Sequence, residues 1–189
     1  MKEGKLIVVS GPSGAGKDTV VSKYLEKHPE DGLSISMTSR AIRSGEKDGV
    51  NYYFKTKEEF EKAILDGDLL EYAMYNGNYY GTPKSEVEKR IKKGINVILV
   101  IEVVGAMNVK KMMGDKCSLI FIMPPSMEEL RNRLLNRGTD SLESIEGRLD
   151  IAKKEIKESK KYDYKVVNDD LEKAVSELED IIKNKIIEK

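Results

Sequence analysis

The sequence predicts an α/β chain in which a parallel sheet lies between two layers of helices, and three observations lead there. The apolar runs 6–10, 95–101 and 117–123 are of strand length and show little alternation, which is how strands buried on both faces read. Segments with helical spacing separate them, as parallel crossover units require. The first run leads directly into a glycine-rich loop, G-x-x-x-x-G-K, and a helical segment follows that loop.

The elements can be taken in order. Residues 6–10, LIVVS, form a short buried strand. Residues 17–27 place Val20, Val21, Tyr24 and Leu25 on one helix face, and Pro29 marks its end. Residues 33–38 alternate and predict a strand, and 36–46 are polar and turn-rich. Residues 52–55 predict a short strand, and 57–66 a helix with Phe60, Ala63 and Ile64 inward. Residues 69–73 and 78–81 predict two more short strands. Pro83 suits the first turn of a helix that runs to Lys93 and stops at Gly94. A central strand over 95–101 follows, then a helix to Met113, a buried strand over 117–123 and a helix over 127–136 with Leu130, Leu134 and Leu135 inward. After the polar break 137–141, a charged helix spans 143–161, a last strand 163–167 and an amphipathic helix 171–187.

The loop carries the most specific chemistry. Gly11, Pro12, Ser13, Gly14, Ala15, Gly16 and Lys17 make a phosphate cradle: glycines let successive N–H groups point inward, and the helix N-terminus adds its positive end. Lys17 supplies a point charge for β- and γ-phosphates. The hydroxyl residue that usually follows the lysine and ligates Mg²⁺ is replaced by Asp18, with Thr19 next. A carboxylate is still an oxygen ligand for a hard cation, so Asp18 is the candidate metal ligand.

Composition excludes other classes. Lysine plus arginine balances aspartate plus glutamate at 33 each, so no global field recruits nucleic acid or an anionic membrane. No run approaches the ~18 apolar residues of a membrane span. Cys117, the single cysteine, sits in an apolar run and predicts a buried thiol. His28, the single histidine, argues against histidine metal clusters and a histidine base. A soluble, cytoplasmic protein is expected. Six of the seven arginines fall in two groups, Arg40 with Arg43, and Arg131, Arg133, Arg137 and Arg148. The guanidinium fork suits phosphate, although Arg131 reads better as a helix-surface ion pair.

The stretches SGPSGAGKDT, SMTSRAIRSGEKDGVNYYF, EYAMYNGNYYGT, PPSMEELRNRLLNRGTDS and VVNDDLEKA together resemble the guanylate kinase family, in the family's order and spacing. That resemblance implies a P-loop three-layer α/β/α core over 1–32, 82–136 and 149–189. It also implies a GMP-binding, β-rich insert over 33–81 and a helical lid over 137–148. The implied activity is phosphorylation of GMP, and of dGMP, by ATP with Mg²⁺, in a monomer or homodimer. By the same resemblance Arg40, Arg43, Tyr52 and Tyr80 hold the GMP phosphate. Ser36, Glu71 and Thr82 read guanine with Glu102 assisting. The lid arginines Arg137 and Arg148 reach the transferring phosphoryl group, and Arg133 and Asn168 lie near ATP, Asn168 reading equally well as a helix cap. Lys17, Arg43, Arg137 and Arg148 are the implied catalytic set.

The guanine assignment also follows from base chemistry. Guanine offers N1–H and its 2-amino group as adjacent donors, and one carboxylate accepts both, whereas adenine presents an acceptor at N1. Two positions depart from the family pattern: an acid usual two residues before Glu102 is Val100, and a polar residue two after it is Val104. Asp18 is a candidate replacement for the acid missing at Val100. Two rival readings are a kinase for another monophosphate and a phosphopeptide-binding module. The base-reading set argues against the first and the intact loop against the second.

Overall fold

The computed structural model of the chain describes residues 2–75, 77–136 and 141–188. Its elements run β1 (Leu6–Ser10), α1 (Lys17–Lys27), β2 (Gly32–Leu33), β3 (Met37–Thr38), β4 (Tyr53–Phe54), α2 (Lys57–Leu65), β5 (Leu69–Tyr75) and β6 (Asn78–Pro83). They continue as α3 (Lys84–Lys92), β7 (Val97–Val100), α4 (Val103–Met113), β8 (Cys117–Met123), α5 (Met127–Asn136), α6 (Leu142–Glu158), β9 (Tyr164–Val167) and α7 (Leu171–Asp180).

Five parallel strands form the core sheet in the order β2-β7-β1-β8-β9. Successive side chains of a strand point to opposite faces, and β1 shows the result. Ile7 and Val9 join Ile98, Ile120 and Val166 under α1 and α7, through Val20, Tyr24, Val175 and Leu178. Leu6 and Val8 join Val97, Leu99, Leu119 and Phe121 on the other face under α3 and α4, through Val87, Ala106 and Val109. The expected three layers are present. A second, four-stranded sheet, β4-β3-β6-β5, carries its own small core of Met37, Phe60 and Leu69. α5 and α6 pack on each other through Leu130, Leu134, Ile145 and Leu149. No described helix is long and apolar enough to cross a membrane.

Several expectations are corrected. The single strand expected over 33–38 is two strands in different sheets: β2 pairs with β7, and β3 pairs with β4 and β6. The chain crosses from core to insert at 34–36, and alternation within either strand cannot reveal a change of partner. Pro83 ends β6 and caps α3 rather than sitting in its first turn. Leu135 is 39% exposed rather than inward. The last helix leaves α geometry after Asp180, and π turns over Ile181–Ile187 keep Ile181, Ile182 and Ile186 buried. Cys117 is buried as expected, and Arg131 pairs with Glu146 at 2.7 Å.

Candidate active site

The glycine-rich loop leaves the carboxyl end of β1, where open α/β sheets collect their ligands. Gly14 and Gly16 adopt left-handed backbone, φ 91° and 84°, which only glycine enters freely. Gly16 caps α1, so the helix begins at Lys17 with its free N–H groups facing the loop. Lys17 is 9% exposed, and its Nζ lies 3.8 Å from Glu102 Oε1, at the end of β7. Glu102, expected to assist in reading guanine, is thus the ion partner of the loop lysine.

Glu155 on α6 completes this charge cluster. Burial raises its carboxyl pKa above the ordinary range, with the negative charge of Glu102 adding to the rise and Lys17 opposing it. Sequence reasoning missed it because it lies on the charged helix 142–158, far from the loop in the chain.

Asn168 is placed differently from the cap reading. Its side-chain amide donates to Ala15 O at 2.8 Å, and a Cβ at Gly16 would approach within 2.4 Å of Asn168 Nδ2. The cap of α7 is instead Asp170, whose carboxylate accepts from Lys173 N. Arg133 donates from Nη2 to Asn168 O at 2.9 Å and from Nε to Glu129 Oε1 at 3.0 Å. Asn168, directly after β9, therefore braces the loop, and Arg133 on α5 holds the backbone of Asn168. Arg148 on α6 donates to Ser13 Oγ at 3.2 Å. Arg137 lies outside the described residues. The expected lid boundary at 148 falls within the single helix α6.

The insert gathers a second set. Glu71 and Thr82 are cross-strand partners on β5 and β6, and Thr82 Oγ1 donates to Glu71 Oε1 at 2.7 Å. Burial raises the Glu71 carboxyl pKa, and the Thr82 hydrogen bond opposes that rise. Ser36 and Thr82 line a cavity of about 510 Å³ between insert and core, together with Asp18, Val100 and Leu33. Asp18 and Thr19 are exposed in the first turn of α1.

Arg40, Tyr52 and Tyr80 converge. The Arg40 guanidinium lies 5.5 Å from the Tyr52 ring centroid, Tyr52 and Tyr80 meet edge to face at 6.0 Å, and Tyr80 supports the charged Arg40. Glu46, which sequence reasoning did not single out, holds this arginine: Arg40 Nη2 donates to Oε1 at 2.7 Å and Nη1 to Oε2 at 3.0 Å. The Arg40 guanidinium and the backbone N–H of Arg43 hold the Glu46 carboxyl below its ordinary range. The signal available was an acid three residues after Arg43 in a polar turn. Arg43 adds an exposed side chain at the same rim.

A phosphate cradle with its lysine, and a cleft lined by Thr82 with the half-buried Glu71 bonded to it, suit a reaction between two nucleotides. Known proteins agree. The family model for guanylate kinase matches residues 3–185. Guanylate kinase from Clostridium perfringens (strain 13 / Type A) is 54% identical over 179 residues, covering 95% of this chain and 82% of that protein. The enzyme from Listeria innocua is 52% identical over 183 residues, covering 96% and 88%. The crystal structure of guanylate kinase from Anaplasma phagocytophilum superposes with a TM-score of 0.73 at 38% identity, covering 98% of this chain and 88% of that one. The chain therefore belongs to the guanylate kinase family, enzymes that phosphorylate GMP to GDP with ATP.

Proposed function

We propose that this enzyme transfers the γ-phosphoryl group of ATP directly to the phosphate of GMP or dGMP, in line and without a covalent intermediate. The observation that carries the base assignment is the Glu71–Thr82 pair, half-buried at Glu71, whose Thr82 lines the cleft between insert and core. An ionised carboxylate held there accepts N1–H and the 2-amino group together, and Ser36 adds a hydroxyl to the same cleft. Adenine would set its N1 lone pair against the carboxylate.

Phosphoryl transfer needs positioning and charge neutralisation more than covalent chemistry. Residues 11–17 would hold the ATP phosphates, with Lys17 on the β- and γ-phosphates. Arg40, Arg43, Tyr52 and Tyr80 would seat the GMP phosphate, with Glu46 fixing the Arg40 fork. Arg148, already at the loop through Ser13, and Arg137 would add positive charge as developing negative charge spreads over the transferred group, while their segment, the proposed lid, excludes water.

Mg²⁺ is an expected partner of the ATP phosphates. No group of three or more acidic, histidine or cysteine residues suited to a metal occurs among the described residues. The exposed carboxylate of Asp18 in the first turn of α1 fits Mg²⁺, which usually keeps waters and takes one or two carboxylates besides phosphate oxygens. Asp18 would supply the protein ligand, and the ion would neutralise charge between β- and γ-phosphates. We further place the protein in the cytoplasm as an enzyme of nucleotide supply.

The test is ADP formation from ATP and Mg²⁺ with GMP, dGMP, AMP, CMP and UMP in parallel. Turnover confined to GMP and dGMP is expected. Turnover with AMP, or an isolable phosphoenzyme, would overturn the base assignment or the direct transfer respectively.

A further inference from the structure

Gly105 is the third residue of α4 and has ordinary helical backbone, since it is not among the glycines with positive φ. Alanine is the better helix former at such a position, because glycine loses more backbone freedom on folding. The space beside it explains the choice. A Cβ on residue 105 would lie 3.2 Å from Glu71 Oε2 and 3.6 Å from Glu71 Cγ. A side chain at 105 would therefore press on the Glu71 carboxylate from the insert sheet, with Ile101 Cδ1 in ordinary contact at 3.5 Å.

Glu71 thus has two supports of different kinds. Thr82 fixes Oε1 through a hydrogen bond, and the bare first turn of α4 receives Oε2. That turn is also the positive end of the helix, where a carboxylate is favoured. The contact joins the insert, through β5, to the core, through α4.

We infer that Gly105 is a positioning residue for base selectivity: its missing side chain sets the plane in which Glu71 meets guanine. The inference rests on the assignment of Glu71 as guanine reader made above. Parallel acceptance of N1–H and a 2-amino N–H requires the carboxylate to lie in the plane of the base, because hydrogen bonds weaken steeply off line. The terminal torsion of glutamate is broad and soft. A methyl group at 105 is therefore accommodated by turning the carboxylate, not by unfolding the helix. The turned carboxylate keeps its charge and loses its aim.

The experiment is Gly105→Ala, with KM for GMP, IMP and ATP and the melting temperature measured on the full chain. IMP keeps N1–H and lacks the 2-amino donor. Expected are a KM for GMP raised about 10-fold, a smaller rise for IMP, an unchanged KM for ATP and no fall in melting temperature. In a Glu71→Asp background, where the carboxylate is shorter, Gly105→Ala should cost less than in the parent. An unchanged KM for GMP overturns the inference, as does a parallel rise in both KM values with a falling melting temperature. Glu71→Ala separates the two levels. If it leaves discrimination between GMP and AMP intact, the reading of Glu71 fails and takes the inference with it. If it abolishes discrimination while Gly105→Ala is silent, the inference alone fails.

Discussion

Arg40 and Glu46 meet in a two-point ion pair in the loop between β3 and β4, with side chains only 12% and 20% exposed. These protein contacts fix the direction of the fork. Arginine has five N–H donors, and Glu46 together with Ala41 O takes three of them. The remaining donors are left in a defined direction beside Tyr52 and Tyr80. Glu46→Ala should release the guanidinium into many rotamers, raising KM for GMP about 10-fold with kcat and KM for ATP little changed. Steady-state kinetics with each nucleotide varied in turn would check it, and an equal rise in both KM values would refute it.

Glu71 predicts a trade between stability and function. Burial raises its carboxyl pKa in the folded state, so the native protein holds this proton more tightly than the unfolded chain. Its contribution to stability is fully present below the unfolded-state pKa and is lost as pH rises through the folded-state value. At neutral pH the ionised, half-buried carboxylate therefore weakens the ligand-free protein, while the proposed recognition of guanine requires that charge. Glu71→Gln should raise the melting temperature of the ligand-free enzyme at pH 7, and the difference should vanish at acidic pH. The same variant should lose at least about 100-fold in kcat/KM for GMP. In the parent, KM for GMP should climb as pH falls through the Glu71 pKa.

Local patterns carried most of the fold. The loop, the buried strands β1 and β8 and the helices α1, α4 and α5 were legible because periodicity and glycine placement are properties of neighbouring residues. What failed was non-local. Alternation over 33–38 was real, yet it could not tell that β2 and β3 join different sheets. Asn168 looked like a cap because Asp170, two residues on, takes that role; its partner Ala15 is 153 positions away. Glu46 carries an ordinary surface residue's name, and the tight contact beside Gly105 comes from Glu71, brought there by the insert.

Asn168 should act on the ATP side. Its amide is buried, 7% exposed, and donates to Ala15 O inside the phosphate loop. Asn168→Ala leaves that carbonyl without its partner and opens space beside Gly16, at a cost of about 1–3 kcal/mol in stability. Because the loop curve is what aims its N–H groups, KM for ATP should rise while KM for GMP stays near the parent value. Denaturant unfolding and initial-rate kinetics would measure both. A stability loss with unchanged ATP kinetics would make Asn168 a core residue only.

Asp18 and Val100 line one cleft, on α1 and β7 respectively. A carboxylate on either element would open onto the same space, and we propose that Asp18 on α1 stands in for the acid missing from β7. Asp18→Ser should raise the Mg²⁺ concentration needed for half-maximal turnover by about 10-fold, since one charged oxygen ligand of a hard cation is exchanged for a neutral one. Adding Val100→Glu to that variant should recover part of the loss. Titration of Mg²⁺ at saturating ATP and GMP, with calorimetry of Mg²⁺ binding to the ADP complex, would measure both steps. An unchanged Mg²⁺ requirement in Asp18→Ser would remove Asp18 from the metal's surroundings. A recovery by Val100→Glu would instead show that the cleft needs one carboxylate and is indifferent to the element that provides it.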